Sequence, residues 1–237
     1  MSLEIRAFLP FAYGVGFRIN KLLLFFIFSA FWIGTLAPLH AEPARITVLG
    51  DSLVQGYGLP GQSGFVPQLE RWLREKGYDV SLLNAGVSGD TTAGGLSRIA
   101  WTLSESPDAL IVSLGGNDVL RGTDPAVTRK NLAGVLQIAS EKEIPLLLIG
   151  IIAPRNYGED YKVEFEEIYT SLADEFGTLL YPNFLKALTD LPSRAETLSR
   201  YYQADSIHPN ADGVALIVND MGPIVAKLIE QIPDNGN

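Results

Sequence analysis

From residue 45 onward the chain alternates short, nearly uninterrupted apolar runs with longer segments whose apolar residues recur at helical spacing. The runs RITVLG (45–50), YDVSLLNAG (78–86), DALIVSLGGND (108–118), IPLLLIGII (144–152) and TLLYPNF (178–184) each predict a strand. PQLERWLREKG (67–77) brings Leu69, Trp72 and Leu73 together at helical spacing and stops at Gly77, a favoured residue just past a helix end. AGGLSRIAWTLSE (93–105), DPAVTRKNLAGVLQIASEKE (124–143), EDYKVEFEEIYTSLADEFG (159–177) and ADGVALIVNDMGPIVAKLIEQI (211–232) predict further helices, the second of them opened by Asp124 and Pro125. Strands that are apolar along their whole length need cover on both faces, so the pattern predicts an α/β fold with a parallel sheet between two helical layers. The longest piece with neither period is Leu188–Asn210. A loop of that length in a compact domain is usually functional or mobile.

Residues 1–41 break this rhythm. Arg18 and Lys21 precede an uncharged apolar stretch, Leu22–Leu39, which runs out in small residues at Ala37 and Ala41 and is followed by Glu42 and Pro43. This reads as a secretory signal peptide, which would carry the mature protein across the inner membrane, into the periplasm. The stretch is 18 residues long, at the lower edge of bilayer-spanning length, so a retained N-terminal anchor is the alternative. The long n-region is equally explained by a start codon assigned too far upstream. Residues 42–237 contain no repeat, no low-complexity tract and no linker, and predict one domain.

Charge and composition narrow the chemistry. The chain carries a net charge of −9, and loss of residues 1–41, with Arg6, Arg18 and Lys21 against Glu4, takes this to −11. Such an acidic molecule is a poor partner for nucleic acid. There is no cysteine, which excludes disulfides and thiolate metal sites, and of two histidines only His208 lies outside the N-terminal segment. No spaced run of aspartates resembles a calcium loop. Neither a metal nor an organic cofactor is expected.

In an open α/β sheet, ligands sit outside the carboxyl ends of the strands. The first strand delivers Ser52 to that edge, the second the glycine-rich turn at Gly89, and the third Asn117. A serine hydroxyl becomes a nucleophile when a neighbouring base takes its proton, and the one candidate base is His208. Asp205 precedes it by three residues in DSIHPN, a spacing that lets the carboxylate bond one ring nitrogen while the other faces the serine. The backbone N–H groups of Ser52 and Gly89 and the side-chain amide of Asn117 can supply donors to a tetrahedral oxyanion. Asp51 suits a hydrogen-bond acceptor in the turn rather than a catalytic acid. Arg155–Tyr161 follows the fourth strand and reaches the same edge, so Asn156, Tyr157 and Gly158 are candidate substrate-binding residues. The loop at 56–65 lacks the spacing of a dinucleotide-binding turn and instead lines the expected cleft.

GDSL (50–53), GVSGDT (86–91), GGND (115–118) and DSIHP (205–209) together resemble the four blocks of the SGNH, or GDSL, hydrolase family, in order. NAGVSGDTTAGGLSRI, LGGNDVLRG and RNYGEDY are similar to its branch of thioesterases, lysophospholipases and arylesterases, and the resemblance covers residues 45–230. It implies a flavodoxin-like three-layer α/β/α sandwich with a five-stranded parallel sheet. It implies Ser52 as nucleophile, His208 as general base and acid, Asp205 as its orienting carboxylate, and Ser52, Gly89 and Asn117 as the oxyanion hole. The G-x-S-x-G elbow of the α/β-hydrolases is absent, since Val54 stands where its second glycine would be. The substrates implied are aryl esters, lysophospholipids and acyl thioesters, hydrolysed through an acyl-enzyme. Two alternatives use the same scaffold: a carbohydrate O-acetyl esterase, and a non-catalytic module that binds acyl chains or glycans.

Overall fold

A computed structural model of the chain describes Gly14 and residues 42–233. Apart from Gly14, the candidate signal peptide or anchor at 1–41 lies outside the described residues. Five strands, β1 (Ala44–Gly50), β2 (Val80–Gly86), β3 (Ala109–Ser113), β4 (Leu146–Ile149) and β5 (Leu179–Tyr181), form one sheet in the order β2-β1-β3-β4-β5. Every neighbouring pair is parallel. This is the flavodoxin-like order, as expected. The predicted strands at 78–86, 108–118, 144–152 and 178–184 are trimmed at their ends, because the flanking residues turn away from the ladder into loops or, at Gly116–Asp118, into a short helix.

The helices are α1 (Ser52–Gln55), α2 (Phe65–Glu75), α3 (Thr92–Thr102), α4 (Gly116–Leu120), α5 (Pro125–Ser140), α6 (Glu159–Phe176), α7 (Lys186–Thr189), α8 (Arg194–Tyr201) and α9 (Ala211–Ile229). All five residues of β3 are buried, as a strand covered on both faces must be. Ile46, Val48 and Ile111 point to one core, closed by Leu69 and Leu73 of α2, Leu188 of α7 and Ile217, Met221 and Val225 of α9. Leu49, Leu110 and Val112 point to the other, closed by Ile99 of α3, Leu132 and Leu136 of α5 and Phe165 and Leu172 of α6. The helix entries follow from their sequences. Asp124 accepts a hydrogen bond from the Ala126 N–H at 2.8 Å ahead of Pro125, and Asn210 accepts one from the Gly213 N–H at 3.0 Å to start α9. Among the described residues no helix is long and apolar enough to cross a membrane.

The strand order reverses at β1, which has β2 on one side and β3 on the other. The chain therefore leaves β1 and β3 in opposite directions, opening a crevice at their carboxyl ends. That crevice is where Ser52 and Asn117 emerge.

Candidate active site

Ser52 is the second residue beyond β1 and the first of α1. Asp51 caps this one-turn helix, its Oδ1 accepting the Leu53 N–H at 3.0 Å. The turn packs so closely on the sheet that a Cβ on Gly50 would lie 2.3 Å from Val54 Cγ2 and 2.8 Å from the Ser113 carbonyl oxygen. Gly50 is thus required by close approach. Asp51 is 3% exposed, and burial, the largest influence, raises its pKa to about 6 against the pull of the Leu53 N–H and His208.

His208 arrives from the segment between α8 and α9. Its Nε2 lies 2.9 Å from Ser52 Oγ and its Nδ1 2.7 Å from Asp205 Oδ2. Asp205 Oδ1 accepts the backbone N–H groups of Ile207 at 2.9 Å and His208 at 3.0 Å, so one carboxylate both folds the turn and aims the ring. Desolvation pushes the Asp205 pKa upward, but the His208 ring and those two N–H groups outweigh it and hold it at about 2. Tyr57 lies against the imidazole, with ring centroids 4.8 Å apart. The segment is pinned by Gln203, whose side chain donates to the carbonyls of Tyr57 at 2.8 Å and Pro209 at 3.0 Å.

Gly89 and Asn117 line the same cleft as Ser52 and His208. Gly89 has φ +79°, a left-handed conformation that a side chain would strain. Asn117 sits in α4, entered through Gly115. Two ties join α4 to the Gly89 turn. The buried Asp118 carboxylate accepts the Thr92 N–H at 2.8 Å and the Thr92 hydroxyl at 2.6 Å, and Arg121 Nη2 donates to the Gly89 carbonyl at 3.0 Å. Asn131 completes the knot by donating to Thr92 Oγ1 at 3.1 Å. The three strand ends expected to converge thus do so, together with a histidine from 156 residues further along the chain.

The cleft has a volume of about 710 Å³ and its walls are largely apolar, with Leu53, Val119, Ile151, Leu185, Leu188 and Leu198 among them. Asn156, Tyr157 and Gly158 are not brought to this lining. The wall passes through Ile151, Ile152 and Pro154, and Tyr157 stands next to it, its hydroxyl donating to the carbonyl of the lining residue Leu120 at 3.2 Å. The far wall, from α7 and α8, lies in the stretch expected to be irregular. One signal for α8 stood in the sequence: Ser193 and Glu196 have capping-box spacing, and Ser193 Oγ accepts the Glu196 N–H at 3.4 Å. Among the described residues no group of three or more histidine or acidic side chains could hold a metal ion.

Residues 48–216 match the GDSL-like lipase/acylhydrolase family. The chain belongs to that family. The acylhydrolase is similar to an esterase, TesA of Pseudomonas aeruginosa, at 37% identity over 191 residues, 80% of this chain and 92% of that one. An arylesterase of Vibrio mimicus is 34% identical, over 82% of this chain and 90% of its own. The thioesterase 1/protease 1/lysophospholipase L1 of Escherichia coli K12 is also 34% identical, over 80% and 86%. Among solved structures, the SGNH-hydrolase family esterase AlinE4 superposes with a TM-score of 0.65 at 43% identity, covering 79% of this chain and 97% of that one.

Proposed function

We propose that this acylhydrolase cleaves carboxylic esters and thioesters through an acyl-enzyme on Ser52. The observation that carries the reading is the unbroken chain from Ser52 Oγ to His208 Nε2 at 2.9 Å and from His208 Nδ1 to Asp205 Oδ2 at 2.7 Å. Asp205 stays ionised at any pH where the enzyme works, so it holds the proton of the ring on Nδ1 and leaves Nε2 free to accept. Ser52 Oγ attacks the acyl carbonyl as its proton moves to Nε2. The tetrahedral oxyanion is met by the N–H groups of Ser52 and Gly89 and the amide of Asn117. His208 returns the proton to the leaving alcohol or thiol, then draws one from the water that attacks the acyl-enzyme. The esterase, arylesterase and thioesterase names of the relatives support ester and thioester substrates. The leucine-rich cleft supports an acyl chain as the group bound.

Turnover of a p-nitrophenyl ester tests this. Ser52→Ala is expected to lose about a thousandfold or more in kcat, and a phosphonate ester to label wild-type Ser52 and nothing in the variant. Turnover by Ser52→Ala near the wild-type rate overturns the assignment.

We also propose that residues 1–41 are a secretory leader, that the mature enzyme is periplasmic and not membrane-inserted, and that it acts on small acyl substrates rather than nucleic acid. The apolar stretch Leu22–Leu39 with small residues at its end supports the first, and the net charge of −9 the last. The enzyme recovered from the periplasm is expected to have an intact mass lacking about 41 residues. Full-length mass in the membrane fraction would establish an anchor instead.

A further inference from the structure

We propose that the preferred substrates carry an anionic group, carboxylate or phosphate, away from the scissile carbonyl, and that Arg194 receives it. The proposal rests on Ser52 being the nucleophile of this cleft and adds a substrate class to that reading.

Apart from His208, the cleft lining contains two charged side chains, Asp51 and Arg194. Asp51 is 3% exposed and is engaged with the Leu53 N–H beneath the nucleophile. Arg194 is exposed, so the one fixed charge that the cleft offers to a ligand is positive, in a molecule whose net charge is −9. Among the described residues Arg194 has no ion pair and no hydrogen bond from its side chain; Arg71 and Arg200 share this, but of the three only Arg194 lines the cleft.

Its position in α8 gives the direction. Arg194, Thr197 and Leu198 all line the cleft, with Leu191 before them and Tyr202 after. Arg194, Thr197 and Leu198 stand on one stripe of α8, and the other two members are buried or apolar. Arg194 therefore interrupts an otherwise largely hydrophobic wall with a guanidinium. Beside apolar walls, a guanidinium attracts an anion more strongly than it would in open water, and its planar fork matches a carboxylate or phosphate with two parallel hydrogen bonds. A neutral acyl chain would leave that fork without a partner.

The test uses matched ester pairs and the whole protein. The p-nitrophenyl monoester of a dicarboxylic acid is compared with its methyl-capped, neutral counterpart, and lysophosphatidate with monoacylglycerol. In at least one pair the wild type is expected to favour the anionic member by about tenfold or more in kcat/KM, mostly through KM. The preference should weaken as salt is raised. The pair that shows it says whether the anion sits on the acyl or the leaving-group side. Arg194→Met should bring the ratio close to one, Arg194→Glu should reverse it, and Arg194→Lys should retain part of it. A wild-type ratio near one in both pairs, or an anionic preference that survives Arg194→Glu, overturns the proposal while leaving the hydrolase reading intact. Loss of that reading would show separately, as undiminished turnover of the neutral ester by Ser52→Ala.

Discussion

At Ser52 the backbone does as much as the side chains. The hydroxyl is presented by a one-turn helix whose cap, Asp51, and whose preceding Gly50 are fixed by burial and by the 2.3 Å that separates a hypothetical Cβ from Val54. The proposed nucleophile is therefore held before substrate arrives, which is what proximity catalysis requires. Asp205 and Asp51 are both carboxylates beside the site, and their surroundings set them apart. Asp205 is held charged at about 2 by hydrogen bonds that outweigh its desolvation, whereas burial raises Asp51 to about 6. Only the first has the permanent negative charge that the proposed mechanism asks of the partner of His208. The second is built to complete a turn. Sequence reasoning could separate these roles because Asp205 lies three residues from the only histidine beyond the N-terminal segment, and Asp51 lies inside a tight turn.

At the level of elements, two of the proposed oxyanion donors, Gly89 and Asn117, come from a turn and from α4, which must hold a fixed spacing. Asp118 and Arg121 of α4 and its end provide it, one bonding Thr92 at the start of α3 and the other the Gly89 carbonyl. Arg121 is exposed, is not itself a lining residue of the cleft and meets the site through the Gly89 carbonyl alone. Arg121→Met should thus leave stability within about 0.5 kcal/mol, while kcat falls several-fold with little change in KM, because a loosened Gly89 weakens binding of the transition state more than of the substrate. Steady-state kinetics beside a urea melt check this, and an unchanged kcat would remove Arg121 from the positioning set. The strands and long helices were legible because their apolar periods run for enough residues to be distinctive. The short helices α1, α4 and α7 were not, being four or five residues long, less than the pattern needs. The segment Leu188–Asn210 was read as irregular because α8, RAETLSRY, has a single aliphatic leucine and a mostly polar surface. The same segment supplies a wall of the cleft, so the part of the site hardest to read was one of its walls. Tyr157 was expected in the lining because it follows β4, but a strand end fixes only where the chain emerges, and here the lining on that side ends at Pro154.

For the molecule as a whole, several shifted groups point to one pH profile. Asp205 has a folded pKa below its ordinary value, so its contribution to stability is present above about 4 and is lost as pH falls toward 2. Asp51 has the opposite sign. Raised from 3.8 to about 6, it favours the folded state fully below its unfolded pKa, and that advantage disappears as pH rises through the folded value. At neutral pH the fold therefore carries a buried, ionised carboxylate at a cost of up to about 3 kcal/mol, which acidification toward pH 4 relieves. Burial also raises the Tyr169 and Tyr202 hydroxyls, so the folded state keeps their protons and loses that advantage above about pH 10. The acylhydrolase should be more stable near pH 4.5 than its neutral-pH behaviour suggests. Asp51→Asn keeps an acceptor for the Leu53 N–H and removes the titration, so the gap in unfolding free energy between variant and wild type should move in the variant's favour from pH 4 to pH 7, by about 1 to 3 kcal/mol. Urea unfolding at half-unit steps of pH measures that gap. A gap that stays constant over the range would mean that Asp51 binds its proton no more tightly in the folded chain than in the unfolded one, and that the turn beneath the nucleophile is more open to water than its burial implies.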